Sequence, residues 1–173
     1  MSLTRNFNNL IETITRYSYK LNNYSEESFQ LKKHPDVWSP AEVYAHITTA
    51  NRITVKGMKK ALNGEATEDS SSLSFQARVI FFTGRIPAGR KAPEVIVKRT
   101  PQINSIAEAK NILDELESEL NEIWDKRYSW SKTQKLRHPA LGMLNNKQWI
   151  KFMLIHSKHH LRQLDRIRDL KSS

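Results

Sequence analysis

Cysteine is absent from the 173-residue chain. This absence excludes disulfides, iron–sulfur clusters, cysteine nucleophiles and zinc sites built from thiolates, so any metal site must use histidine or carboxylate side chains. Long apolar runs are also missing. No stretch nears the roughly 18 apolar residues that a membrane span requires, and the first residues lack the apolar core of a signal peptide. We therefore expect a soluble, cytoplasmic protein with no membrane partner.

The composition fits one domain over residues 1–173, with 38% hydrophobic residues and a formal charge of +10. The charge is uneven. Residues 101–125 carry one basic and seven acidic side chains, whereas residues 126–173 carry 12 basic and two acidic ones. This imbalance fits a basic face that engages nucleic acid or another anionic partner, or helices whose charged sides pair with each other. No known nucleic-acid-binding motif is present.

Apolar residues recur at helical spacing in four long segments. The third segment has the most regular stripe, and Asn145 can cap the fourth. The pattern predicts helices over residues 3–22, 40–62, 105–128 and 146–169. Four long helices with one long, partly structured crossover between the second and third predict an all-α four-helix bundle.

Two of these helices begin with a recognisable capping sequence. Ser39, Pro40 and Glu42 combine an N-cap, a proline at the first helical position and a capping box. The same spacing recurs at Ser105 and Glu108. Both pairs predict where a helix starts.

Residues 63–104 form the crossover between the second and third helices, and they are rich in serine, glycine and proline. Within it, Ala77–Phe82 fits a short helix or a strand, and Glu94–Val97 fits a short extended piece. Its lysines and arginines are compatible with a wall for an anionic ligand or with a solvated loop that covers one end of the domain.

The last predicted helix contains the sequence IHSKHHLRQL, with three histidines. At about 100° per residue, His156 and His160 lie on its apolar face, and His159 lies near the edge of that face. Two imidazoles one turn apart can bind the same metal ion.

His46 lies on the second helix, in a row with Val43, Ala50, Ile53 and Gly57 at helical spacing. This row predicts that His46 also points inward. Burying an unsatisfied polar group costs roughly 1–3 kcal/mol, and one shared ion would satisfy a nitrogen of all three inward histidines. The alternative is that each histidine is hydrogen-bonded separately.

The spacing excludes two other metal architectures. The Glu-x-x-His pairs of carboxylate di-iron bundles and the HExxH sequence of metalloproteases are both absent. Glu42 lies one turn before His46, but its capping position favours a capping role. Three imidazoles suit zinc or nickel, with iron or copper as alternatives, and they leave a coordination position open for water or substrate.

His34 and His138 each precede a proline, which favours an extended backbone outside the long helices. We expect both to be structural. No nucleophile or acid–base pair stands out, so the sequence assigns no catalytic residue.

Two segments, WSPAEVYAHI and HPALGMLNNKQWIKFMLIHSKHHLRQLDRI, resemble the DinB superfamily, and within it the branch with a DUF1569-type signature. The resemblance implies a four-helix bundle, often dimeric, that holds a divalent metal with one histidine of the second helix and two of the last. These positions are His46, His156 and His160. Gln163 matches the glutamine of the motif, which implies that it orients a metal ligand or the substrate.

The resemblance also implies an activity, because some members of this superfamily are thiol-dependent transferases. We therefore expect a low-molecular-weight thiol and a small electrophile as partners, and a homodimer. Trp149, Phe152 and Met153 either line a pocket above the metal or are plain core. The alternative function is a non-catalytic binding protein whose basic face engages nucleic acid.

Overall fold

The computed structural model describes residues 2–87 and 100–169, and six helices make up most of this part of the chain. They are α1 (Leu3–Leu21), α2 (Glu26–Gln30), α3 (Pro40–Leu62), α4 (Phe75–Thr83), α5 (Ile106–Asp125) and α6 (Asn146–Asp169). A 3₁₀ turn, Arg127–Ser129, follows α5. Three short strands complete the fold: β1 (Thr67–Glu68), β2 (Gln134–His138) and β3 (Gly142–Asn145).

The four long helices pack as a bundle, which confirms the predicted all-α fold. α1 packs along α6, α3 packs against both α5 and α6, and α1 also contacts α5. Their apolar faces meet in one hydrophobic core. Its most deeply buried aliphatic side chains include Leu10, Ile14, Leu113, Leu116 and Leu120.

The predicted starts of α3 and α6 are confirmed by reciprocal capping hydrogen bonds. The Ser39 hydroxyl accepts from the backbone N–H of Glu42 at 3.2 Å, and the Glu42 carboxylate accepts from the N–H of Ser39 at 2.8 Å. Asn145 and Gln148 form the same arrangement at 3.1 and 2.9 Å. These caps fix the first turns of the two helices that carry the histidines.

The start of α5 differs in one detail. Ser105 accepts from the N–H of Glu108 at 3.0 Å, as predicted, but the Glu108 carboxylate accepts from the N–H of Asn104 at 2.8 Å. Glu26 of α2 accepts from the N–H of Ile106 at 3.0 Å, so the short helix α2 helps to cap α5. The helix ends at Asp125, three residues before the predicted end, where the chain tightens into the 3₁₀ turn.

A small antiparallel sheet with strand order β1-β2-β3 lies beside the bundle, and the sequence did not predict it. In β2 the buried side chain is Lys135, which is 6% exposed. Its ammonium donates to the carbonyl of Ser71 and lies 3.3 Å from the Asp69 carboxylate. A lysine at the buried position removes the apolar alternation by which a strand is recognised.

The crossover contributes β1 to this sheet and contains α4. The segment Ala77–Phe82, whose sequence fits either a short helix or a strand, lies within α4. The Ser74 hydroxyl caps α4 by accepting from the N–H of Ala77 at 3.1 Å. The predicted extended piece at Glu94–Val97 lies outside the described residues.

Buried polar side chains connect α1, α3 and α6. The Tyr17 hydroxyl donates to the carbonyl of Ser157 at 2.8 Å, and the Tyr44 hydroxyl donates to the carbonyl of Tyr17 at 2.8 Å. Asn51 donates its side-chain amide to the Ser157 hydroxyl at 3.2 Å. These bonds hold α6 in register with α1 and α3 at the residue next to His156.

Ion pairs between helices of the bundle neutralise part of the uneven charge. Arg52 of α3 lies 3.1 Å from Glu115 of α5, and Lys59 lies 2.7 Å from Glu122. The acidic side of α5 therefore pairs with basic residues of α3. Among the described helices, none combines the length and the apolar character that crossing a membrane requires.

Candidate metal centre

The three predicted histidines converge at the contact between α3 and α6. Each of His46, His156 and His160 offers one ring nitrogen, and these three atoms lie within 4.8 Å of one another. The Nε2 atoms of His156 and His160 are 3.0 Å apart. His46 and His160 are buried and His156 is half-buried. This cluster can hold a metal ion.

The other histidines lie outside the cluster. The ring of His159 is 5.1 Å from the ring of His160 and is half-buried. His34 is exposed before α3. His138 ends β2, where its Nδ1 accepts from the N–H groups of Ala140 and Leu141 at 3.0 and 3.1 Å, so it stabilises a turn.

The row of residues used to orient His46 is only partly buried. Val43 is fully buried, but Ile53 is 41% exposed and Ala50 and Gly57 are half-buried. The prediction that Ile53 lies in the core is wrong, because the main buried row of α3 runs one position away. That row contains Tyr44, Ile47, Asn51, Val55 and Met58.

His46 is buried instead because aromatic side chains cover it. Its ring lies 5.0 Å from the ring of Trp38, 5.3 Å from that of His156 and 4.7 Å from that of His160. Its Nδ1 is buried and has no hydrogen-bond partner among the described residues. An unpaired buried nitrogen beside two further imidazoles is expected where a ligand is to be bound.

Gln163 fixes the orientation of His160. Its side-chain oxygen lies 2.8 Å from Nδ1 of His160. Because an amide oxygen only accepts, this Nδ1 carries the ring hydrogen, and Nε2 presents its lone pair to the cluster. The same pairing of a ligating histidine with a hydrogen-bond acceptor is general in protein metal sites.

The distance between the two α6 histidines fits coordination of one ion. Two nitrogens bound to tetrahedral zinc at about 2.0–2.1 Å are separated by roughly 3.3 Å. The observed 3.0 Å between the Nε2 atoms of His156 and His160 is close to this value. The spacing of one helical turn thus places both Nε2 atoms within reach of the same ion.

Burial keeps the three rings neutral at neutral pH. It lowers the pKa of His46 to about 4 and that of His160 to about 3, and it also lowers the pKa of His156. The neighbouring histidines lower these values further, because a second positive charge in the cluster would be repelled. Neutral imidazole is the form that coordinates metals.

The three residues expected as pocket lining differ in what they contact. The ring of Phe152 is stacked on that of His156, with centroids 5.4 Å apart and planes within 14°. Trp149 packs against His138 and Phe152, and Met153 is fully buried in the core. Of the three, Phe152 contacts the cluster directly.

Glu42 does not join the cluster. Its carboxylate accepts from the N–H of Ser39 and forms an ion pair with Lys32 at 2.9 Å. Glu42 therefore has the capping role that its position in the sequence predicts. The cluster consists of imidazoles alone.

Beside the cluster lies an open cleft of about 280 Å³. It is formed by the end of α2, the start of α3 and residues 100–103, and both Trp38 and His46 line it. The remaining wall contains the Lys32–Glu42 ion pair and the apolar side chains of Ala41, Ala45 and Ile103. The cleft therefore reaches the cluster at His46.

Trp38, the first residue of the segment WSPAEVYAHI, lies beside the cluster although it was not among the predicted site residues. It lies directly before the N-cap Ser39, and an apolar residue at that position commonly packs back on the first turns of its helix. This position before the N-cap is the sequence feature from which the packing of Trp38 on α3 could have been predicted. It points to the helix that carries His46, but not to the histidines of α6.

The fold and the cluster together define a helical bundle with a three-histidine centre between two of its long helices. The chain belongs to the DinB superfamily, whose family model matches residues 9–164. A comparison with curated protein sequences gave no match. The superfamily inferred from the two sequence segments is confirmed, and the DUF1569-type branch stays a prediction.

Proposed function

We propose that this protein binds one divalent transition-metal ion per chain through His46, His156 and His160. The observation that carries the proposal is the convergence of three imidazole nitrogens within 4.8 Å in a largely buried site. Zinc or nickel suits such a ligand set, and iron is the further candidate. The neutral ligands leave the full charge of the ion uncompensated, so an anionic ligand would be attracted to it.

We further propose that the open coordination position binds a low-molecular-weight thiol, for transfer to a small electrophile. A bound ion would lower the pKa of a coordinated thiol and stabilise the thiolate. The chain supplies the neutral histidines, the Gln163 hydrogen bond that orients His160, and a cleft next to His46. Membership of the DinB superfamily supports this activity class.

Metal binding is tested with protein purified without a metal-affinity column. Elemental analysis and cobalt titration should give one ion per chain, and replacing His46, His156 or His160 by Ala should greatly weaken binding. His159→Ala is the matched control, because this neighbouring histidine lies outside the cluster and its loss should leave affinity nearly unchanged. Equal losses in all four variants would show that the ligand set is wrong.

Thiol binding is tested on the cobalt-loaded protein. Addition of a small thiol should produce a sulfur-to-metal charge-transfer band, and its apparent affinity should rise with pH until the free thiol itself ionises, because coordination releases a proton. An absorption spectrum and a thermal stability that do not change at millimolar thiol would contradict the transferase proposal. They would leave the metal site itself intact.

A further inference from the structure

Trp38 contacts the histidine cluster and also borders the cleft. Its indole is nearly parallel to the ring of His160, with planes within 8° and centroids 6.1 Å apart, and it lies 5.0 Å from the ring of His46. The side chain is only partly buried and packs against the core. Trp38 therefore separates part of the cluster from the cleft.

The backbone around Trp38 is held on both sides. The following residue, Ser39, is buried and caps α3 through its hydrogen bonds with Glu42. On the other side, the N–H of Val37 donates to the carbonyl of His34 at 3.0 Å and closes a turn. The indole is thus presented from a defined position and not from the tip of a long loop.

On the α6 side of the cluster, Phe152 is stacked on His156 in a similar way. The two aromatic side chains differ in one respect: Trp38 borders the cleft, whereas Phe152 packs towards Trp149 and His138. Of the two, Trp38 is the one placed to meet a ligand that enters through the cleft.

We propose that Trp38 determines which ligands reach the metal, by limiting their width at the point where the cleft meets His46. A cleft of about 280 Å³ with a mixed polar and apolar lining accommodates a small molecule, and the indole restricts it to a slim or flat end group next to the cluster. Trp38 is a specificity-determining residue in this proposal. The inference rests on the proposed metal site, but not on the thiol chemistry.

The experiment compares a slim and a wide azole as ligands of the cobalt-loaded protein, with the visible cobalt spectrum as the readout. The wild type should bind imidazole about tenfold more tightly than benzimidazole, and Trp38→Ala should reduce this preference to about threefold or less. Trp38→Phe retains a flat ring and should keep most of the preference. Trp124→Ala is the matched control, because this tryptophan is also partly buried, and its ring partners are Phe7 and Trp130.

Two further measurements separate selectivity from folding. Thermal denaturation and cobalt stoichiometry identify a variant that has lost its structure, and in that case Trp38→Leu, which keeps more of the packing, should shift the preference in the same direction. A wild-type preference retained in folded, cobalt-binding Trp38→Ala or Trp38→Leu would overturn the inference. Wild-type protein that binds no cobalt would instead overturn the proposed metal site.

Discussion

At His160, a single hydrogen bond decides which ring nitrogen is available for coordination. Gln163 accepts from Nδ1 at 2.8 Å, and Nε2 faces His156 at 3.0 Å. Without that acceptor the ring could carry its hydrogen on either nitrogen and could rotate. The position three residues after the histidine, nearly one helical turn, brings the amide over the same face of α6.

We predict that Gln163→Leu weakens metal affinity by about 10–100-fold, the usual effect of removing a hydrogen-bond partner from a ligating histidine. Gln163→Glu retains an acceptor and should recover most of the affinity. Competition of the zinc-loaded protein with a chelator measures both. Arg162→Gln changes an exposed neighbour and serves as control, and an equal loss in that variant would contradict an orienting role for Gln163.

The helices illustrate which elements a sequence reveals and which it does not. Helix starts were predictable at Ser39, Ser105 and Asn145, because capping is local chemistry between residues three apart. The sheet was not, because β1 lies in the crossover and pairs with β2 beyond α5, and because β2 buries Lys135. β2 and β3 form a local hairpin, but the buried lysine in β2 interrupts the apolar alternation by which a strand is recognised.

The candidate site also combines features that the sequence predicts with features that depend on the tertiary structure. The two histidines of α6 share a face through their spacing alone, so their convergence could be predicted from the sequence. The inward position of His46 was inferred from a row that includes Ile53, which is exposed, and its burial depends on Trp38 and on packing against α6. Contacts of that kind are decided by the tertiary structure.

We predict that Ser39→Ala lowers the free energy of unfolding by about 1 kcal/mol, because the variant loses the N-cap of α3. Urea denaturation monitored by circular dichroism measures the change. Ser72→Ala is the control, since Ser72 is exposed in the crossover and should change stability by less than about 0.5 kcal/mol. The cap hypothesis fails if both variants have the same stability as the wild type.

Across the whole molecule, the histidine cluster makes the stability of the metal-free protein depend on pH. The pKa of His46 falls from an ordinary 6.5 to about 4 and that of His160 to about 3 on folding. Between these values and about 6.5, the unfolded chain binds protons that the folded chain does not. Stability therefore rises with pH in this range and is lost as the solution is acidified.

We predict that metal-free protein loses stability between pH 6.5 and 5, by up to about 1.4 kcal/mol per pH unit for each histidine that stays neutral in the folded state. Urea denaturation at several pH values in the presence of a chelator measures the slope. His46→Leu should reduce this slope by close to the contribution of one histidine, about 1.4 kcal/mol per pH unit. A variant with the same slope as the wild type would show that His46 does not contribute.

A bound ion would also act as a cross-link of the chain. His46 and His160 are about 110 residues apart in sequence, and the crossover and α5 lie between them. Because the three imidazoles converge only in the folded chain, the free energy of metal binding would add to the free energy of unfolding. In a chain without cysteine, the imidazoles of α3 and α6 would thus link two helices in proportion to the supply of metal, without the thiol oxidation that a disulfide requires.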